Sequence, residues 1–92
     1  MKKRTIVRVG NIFCVEIEDS YKVFFQFIVR DLEIINSEVI RVFRKRWPIN
    51  SNPGIDEIVA DEVGFYTHAF IHAGLSDNAW YKIGTSKVMD AD

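Results

Sequence analysis

The sequence predicts an α+β fold: a bent antiparallel sheet of about five strands, in an SH3-like, partly open barrel, with one helix at about residues 52–63 packed against it. Three observations support this prediction. The stretch at residues 21–30, YKVFFQFIVR, alternates in hydrophobicity and carries three of the seven phenylalanines. Shorter segments before and after it alternate in the same way. One segment, near residues 52–63, instead repeats its apolar residues at helical spacing.

Residues 21–30 are predicted to form the central strand. Side chains of a strand point alternately to its two faces, so one face of this stretch is wholly apolar and the other is mixed. Such a strand needs neighbours on both edges, a packed core on one face and a partly covered layer on the other. The apolar face consists of Tyr21, Val23, Phe25, Phe27 and Val29, and the mixed face of Lys22, Phe24, Gln26, Ile28 and Arg30.

Four further strands are predicted from alternating segments rich in β-branched and aromatic residues. Gly10 and Asn11 form a turn before the first of them, because both residue types tolerate positive φ. Residues 31–37 lack a clear period and are predicted to form a loop. The segment 47–54 contains both prolines and interrupts the sheet. The four strands cover residues 12–18, 38–44, 65–73 and 79–84.

The predicted helix has recognisable ends. Asn52 is a suitable N-cap, Pro53 suits the first helical turn, and Gly64 is a suitable C-terminal cap. The apolar residues that recur at helical spacing are Ile55, Ile58, Val59 and Val63. The acidic side chains then point largely outward, and those in the first turn complement the helix dipole. They are Asp56, Glu57, Asp61 and Glu62.

Length and composition predict one globular domain spanning residues 1–92, because single cores usually need roughly 100–150 residues before a chain divides. No apolar run is long enough to span a bilayer, so we expect no membrane contact. The basic opening lacks the apolar stretch of a signal peptide, which predicts the cytoplasm. A lone cysteine, Cys14, cannot form an internal disulfide and fits a reducing compartment.

The charges divide between the two halves of the chain. Residues 1–46 hold ten Lys or Arg against six Asp or Glu, whereas residues 47–92 hold two against seven. A basic cluster at the end of the third strand could contact phosphates, with Tyr21, Trp47 or Trp80 available for base stacking. The slightly acidic net charge argues against nucleic acid. The cluster consists of Arg41, Arg44, Lys45 and Arg46, with Lys2, Lys3 and Arg4 as further candidates.

The acidic face of the helix is the alternative binding surface, because complementary charge accelerates and directs association with a basic partner. We predict contacts to such a partner from Asp56, Glu57, Asp61 and Glu62. An aromatic, partly exposed patch is predicted to join them, and it consists of Tyr66, His68 and Trp80.

Catalysis has two weak candidates. His68 and His72 lie four residues apart, and on a helix this spacing would allow them to share a metal ion with Asp61 or Glu62. On the predicted strand the same spacing separates them by about 13 Å, which predicts no metal site. Cys14 lacks a catalytic signature around it and is expected to be a small buried residue. No motif for a phosphate, nucleotide or metal cofactor is present, so we expect no cofactor and no enzyme activity.

Four short segments together resemble small bacterial immunity proteins of polymorphic toxin systems, most closely immunity protein family 26 and its uncharacterised relatives. They are GNIFCVEI at 10–17, VIRVF at 39–43, DEVGFYTH at 61–68 and WYKIG at 80–84. Members of the family often have Gly-Asp where this chain has Gly10 and Asn11. The resemblance covers most of the chain and implies a protein that binds and neutralises a toxin effector domain, without a catalytic residue.

The predicted function is therefore non-enzymatic neutralisation of a toxin effector domain by binding. The first alternative is a small nucleic-acid-binding module that uses the basic cluster. The second is a metal-dependent hydrolase that uses His68 and His72.

Overall fold

The chain forms an antiparallel sheet with two short helices. The computed structural model describes residues 6–31 and 37–88. The elements, in chain order, are β1 (Asn11–Ile17), β2 (Tyr21–Asp31), β3 (Ser37–Phe43), β4 (Trp47–Pro48), α1 (Ile55–Val59), β5 (Val63–Ala69), α2 (Ile71–Ser76) and β6 (Tyr81–Thr85). The α+β prediction and the antiparallel sheet are confirmed. Within the described ranges, no helix is long and apolar enough to cross a membrane.

The sheet is open, with strand order β5-β3-β2-β1-β6, and the two-residue β4 pairs with β2 beside this path. Every pairing between neighbouring strands is antiparallel. β5 and β6 lie at the two ends of the order and do not pair with each other in the described part of the chain. No barrel closes here, and the SH3-like arrangement is not confirmed.

The hairpin of β1 and β2 fixes the centre of the sheet. Its register pairs Phe13 with Phe25, and the turn closes with Ser20 N–H donating to the Ile17 carbonyl at 2.8 Å. Glu18 and Asp19 adopt φ of 51° and 59° in this turn. Positive φ at both central residues gives a turn whose twist matches that of the flanking strands. β2 has partners on both edges, as its sequence predicts.

Side chains pack on both faces of the sheet, and each helix covers one of them. We call these the α1 face and the α2 face. Phe13 and its cross-strand partner Phe25 lie on one face. The next pair along the strands, Cys14 and Phe24, lies on the other face because side chains alternate along a strand. The α1 face buries Ile12, Cys14, Phe24, Phe43 and Ile58. The α2 face buries Phe13, Phe25, Phe27, Ile40 and Ile71, with Leu75 and Trp80 packed against them.

The predicted helix at 52–63 is shorter than its sequence suggests. α1 begins after Gly54, whose N–H donates to Oε1 of Glu57 at 2.9 Å, so Asn52 is not its cap. The chain leaves the helix at Ala60 because the next two residues attach to the end of β3. Asp61 Oδ2 accepts the Lys45 N–H at 2.7 Å, and the Glu62 carbonyl accepts the Arg44 N–H at 2.9 Å. Gly64 then lies in β5 and caps no helix.

The predicted strand at 65–73 is correct only as far as Ala69. Glu38, which is buried, accepts the Ile71 N–H at 2.8 Å and so fixes the point where the chain turns into α2. Oε2 of the same carboxylate pairs with Arg30 at 2.9 Å. Ile71 and Leu75 lie four residues apart and pack on the α2 face, a helical spacing that the alternation of the preceding residues obscures. Residues 32–36 of the predicted loop lie outside the described ranges.

Candidate functional site

The four predicted contact carboxylates do not form one free surface. Glu57 accepts the Gly54 N–H, and Asp61 accepts the Lys45 and Glu62 N–H groups. Glu62 pairs with Arg44 at 3.0 Å, with both side chains largely exposed. An exposed pair of this kind contributes about 0–1 kcal/mol to stability. Three of the four carboxylates therefore serve local structure, and Asp56 is exposed on α1.

The three predicted aromatic-patch residues lie on two faces of the molecule. Tyr66 and His68 occupy alternate positions of β5 and point to the α1 face, and both are exposed. Trp80 packs on the α2 face, edge-on to Phe25 with ring centroids 5.1 Å apart. Its Nε1 donates to the Ile71 carbonyl at 3.0 Å. Trp80 is therefore a core residue, and only Tyr66 and His68 share a surface.

Arg41 does not belong to the exposed basic cluster. It is 3% exposed and lies on the α1 face, where its Nε donates to Gln26 Oε1 at 2.9 Å and its Nη2 to the Val88 carbonyl at 2.8 Å. Its guanidinium also lies 4.9 Å from the centre of the Phe43 ring. This guanidinium is a structural group and is not presented to a phosphate.

The remaining basic residues cover the aromatic rings that the nucleic-acid alternative needs. Lys45 Nζ lies 4.0 Å above the Trp47 ring, and the Arg46 guanidinium lies 4.9 Å from the Tyr21 ring. Arg44 is paired with Glu62. Lys2, Lys3 and Arg4 lie outside the described residues. Nothing in this geometry favours nucleic-acid binding, which stays a sequence-based prediction.

The two histidines lie in different elements. His68 is in β5 and His72 is in α2, and both are exposed. Among residues 6–31 and 37–88, no group of three or more His, Cys, Asp or Glu side chains is placed to hold a metal ion. The geometry therefore gives no support to the hydrolase alternative.

The outer edge of β5 is the most unusual exposed feature of the sheet. β5 pairs with β3 and has no second partner in the described part of the chain. After a bulge near Gly64 its register is regular from Phe65 to Ala69. Proteins normally protect such an edge with lysine or proline, and β5 contains neither. β6, at the opposite edge, carries Lys82 in its sequence.

Large aromatic side chains surround the β5 edge. Phe65, Tyr66 and Phe70 are 56%, 50% and 55% exposed, respectively. Phe65 also forms one wall of a groove of about 340 Å³ on the α2 face. Ile17, Tyr21, Val23 and Val42 supply further apolar lining, and Arg44 and Arg46 supply the basic part of it. A free strand edge beside an apolar groove is the geometry of strand addition, in which the backbone gives affinity and the groove selects side chains.

A second cleft, of about 270 Å³, opens on the α1 face beside Cys14 and Tyr81. Burial raises the pKa of the Cys14 thiol, and a hydrogen bond with Tyr81 and the nearby charge of Lys22 oppose this effect only in part. The Tyr81 hydroxyl also donates to Glu16 Oε2 at 2.8 Å. Hydrogen bonding with Cys14 and with Glu16, together with partial burial, raises the pKa of Tyr81 above its ordinary value.

We expect Cys14 to react slowly with thiol reagents in the native protein. A raised pKa leaves less thiolate at neutral pH, and the side chain is 1% exposed. Labelling with Ellman's reagent should be about 100-fold slower in the native protein than in guanidinium, where the thiol is accessible. Native labelling as fast as in the denatured protein would identify Cys14 as an activated nucleophile instead.

The sequence alone does not indicate the β5 edge or the cleft on the α1 face. It does indicate that Arg41 and Arg44 belong to different surfaces, because the alternation of the third strand places them on opposite faces. Lys22 and Gln26 occupy the mixed face of the most apolar strand, and a polar residue at such a position indicates a buried contact to be explained.

The chain was also compared with known proteins. No protein-family model, no curated protein and no solved structure matches it.

Proposed function

We propose that this protein neutralises a bacterial toxin in the cytoplasm by binding its effector domain, and that it catalyses no reaction. The observation that supports the proposal best is the unprotected outer edge of β5 with exposed aromatic side chains around it. Tyrosine and phenylalanine are enriched at the centres of protein interfaces, where they provide contact area at low entropic cost. We place the interface on β5 and the adjoining groove, and Tyr66 and His68 remain part of it.

The partner surface that fits this edge is an extended strand. It would pair with β5 through its backbone and insert an apolar side chain beside Phe65. Arg46, the arginine of the groove that is not paired with Glu62, favours an acidic group next to that side chain. The main contact in this proposal is therefore made by β5, and not by the acidic residues of α1. Asp56 is left as a peripheral contact to a basic group.

Adding a lysine to the β5 edge should weaken neutralisation. Thr67 is exposed in the regular part of β5, so Thr67→Lys changes the edge without changing the core. A charged side chain there opposes the approach of another strand, and we expect affinity for the effector domain to fall at least about tenfold. The measurement is isothermal titration calorimetry with the effector domain of a toxin-like gene found beside the gene for this protein, combined with growth of cells that express that domain.

The matched control is Thr85→Lys, the same substitution at the last residue of β6 on the opposite edge. It should bind and protect cells like the wild type. Unfolding midpoints of both variants should match the wild type.

If both variants still protect cells, the β5 interface is wrong. If the wild type itself neither binds nor protects, the toxin-neutralising function is wrong. Loss of self-association in Thr67→Lys, without any toxin effect, would make this edge a contact between two copies of the chain.

A further inference from the structure

The cleft on the α1 face contains a lysine whose charge has no protein partner. Lys22 is 6% exposed, and it lines the cleft. Both ion pairs of the described residues involve other side chains, and the Lys22 side chain forms no hydrogen bond with another described residue. Every fully buried side-chain nitrogen in these residues has a hydrogen-bond partner. Because the Lys22 ammonium has none, it is not fully buried and reaches the solvent in the cleft.

A neighbouring carboxylate does not pair with this ammonium group. Glu16 lies directly opposite Lys22 in the register of β1 and β2, where a cross-strand ion pair would be expected. Its Oε2 instead accepts the Tyr81 hydroxyl at 2.8 Å, and it forms no ion pair with Lys22 within 4.0 Å. The ammonium group is therefore available to pair with a ligand in the cleft.

The rest of the cleft is mainly apolar and small. Phe24, Ile55 and Ile83 line it together with the thiol of Cys14. A volume of about 270 Å³ lies just below the range of roughly 300–1,000 Å³ that is usual for small-molecule sites. It therefore suits a ligand with one charged group and a short apolar chain. An anion is the group that pairs with a lysine ammonium at the wall of a mainly apolar cleft.

We propose that this cleft is a binding site for a small monocarboxylate, whose carboxylate pairs with Lys22 and whose apolar chain packs against Phe24, Ile55 and Ile83. The site is separate from the β5 edge, because β1 and β6 lie at the other end of the strand order. It is independent of the proposed toxin partner, and it can be tested without that partner.

The test is a titration of the full chain with sodium butyrate, followed by NMR signals of the Lys22 ε-methylene and of the Ile55 and Ile83 methyl groups. We expect saturable shifts with a Kd on the order of 1 mM, which a ligand of this size can reach. Butyramide has the same shape without the charge and should bind at least about tenfold more weakly. N-acetyl-leucine carries the carboxylate of a peptide C-terminus. If it binds more tightly than butyrate, the carboxylate site stands and its natural occupant is a peptide end.

Lys22→Met keeps the length of the side chain and removes the charge. We expect it to lose butyrate binding at least about tenfold while unfolding at or above the wild-type temperature, because a charge without an ion-pair partner no longer lies beside apolar side chains. Lys87→Met, which removes an exposed lysine, is the matched control and should bind like the wild type. Equal shifts with butyrate and butyramide, or wild-type affinity in Lys22→Met, would show that the lysine stem only covers Phe24 and that no anion is recognised.

Discussion

Replacing Gln26 with leucine should lower the free energy of unfolding by about 3 kcal/mol, a large part of the roughly 5–10 kcal/mol expected for a chain of this length. Gln26 is fully buried in β2. Its Nε2 donates to the carbonyls of Gly10 and Ser86, each at 3.2 Å, and its Oε1 accepts from Arg41. It thereby joins the turn before β1 to the segment after β6.

The cost of this substitution comes from the hydrogen bonds that a leucine side chain cannot form. The Gly10 carbonyl still accepts the Ser86 N–H at 3.0 Å, but Arg41 Nε and the Ser86 carbonyl lose their bonds to Gln26. Urea unfolding should show a lower midpoint with an unchanged slope. The double variant Gln26→Leu with Arg41→Leu should be less destabilised than the sum of the two single variants, by about 1–3 kcal/mol. Additive effects, or a Gln26→Leu variant within about 0.5 kcal/mol of the wild type, would contradict this role.

Replacing Gly74 with alanine should destabilise the protein by about 2–3 kcal/mol. Helix propensity alone predicts that the substitution stabilises the protein, because alanine is favoured over glycine in a helix by about 1 kcal/mol. A Cβ on Gly74 would overlap Cε2 and Cζ2 of the Trp80 indole. This ring has little freedom to move, because it contacts Phe25 edge-on and its Nε1 is bonded to the Ile71 carbonyl. Overlap with a fixed ring should therefore outweigh the gain in propensity.

Gly84→Ala is the matched control for this substitution. A Cβ at Gly84 would meet only the Cδ1 and Cγ1 atoms of Ile55, at 2.9 and 3.3 Å. A rotation of that flexible side chain can relieve the contact, and we expect a change within about 1 kcal/mol. Thermal unfolding measures both changes in stability, and near-ultraviolet circular dichroism of the two tryptophans reports a displaced Trp80 ring. Equal stability of the two variants would mean that Trp80 does not rest on Gly74.

The sequence predicts the centre of this fold because the local pattern and the tertiary packing agree there. The alternation in residues 21–30 corresponds to the two packed faces of β2, and the short turn at Glu18 and Asp19 sets the pairing with β1. The helices were predicted less well because side chains from distant segments decide their ends. The Asp61 carboxylate binds the end of β3 and stops α1, and the buried Glu38 carboxylate starts α2.

The candidate surfaces depend on strand order, which no single segment encodes. β5 carries an unprotected edge only because it pairs with β3 and lies at one end of the sheet. In the same way, Lys22 and Tyr81 line one cleft only because β1 lies between β2 and β6 in the sheet. The exposed acidic residues were visible in the sequence. Their hydrogen bonds to backbone groups just after β3 and just before α1 were not.

Hydrogen exchange of the backbone amides, with and without a toxin effector domain that the protein binds, tests the central claim most directly. If a partner strand pairs with β5, the outward amides between Phe65 and Ala69 gain hydrogen bonds, and their exchange should slow at least about tenfold. The amides of β6 should exchange at an unchanged rate. Unchanged exchange along β5 in a formed complex, or protection confined to another surface such as α1, would contradict recognition through this edge.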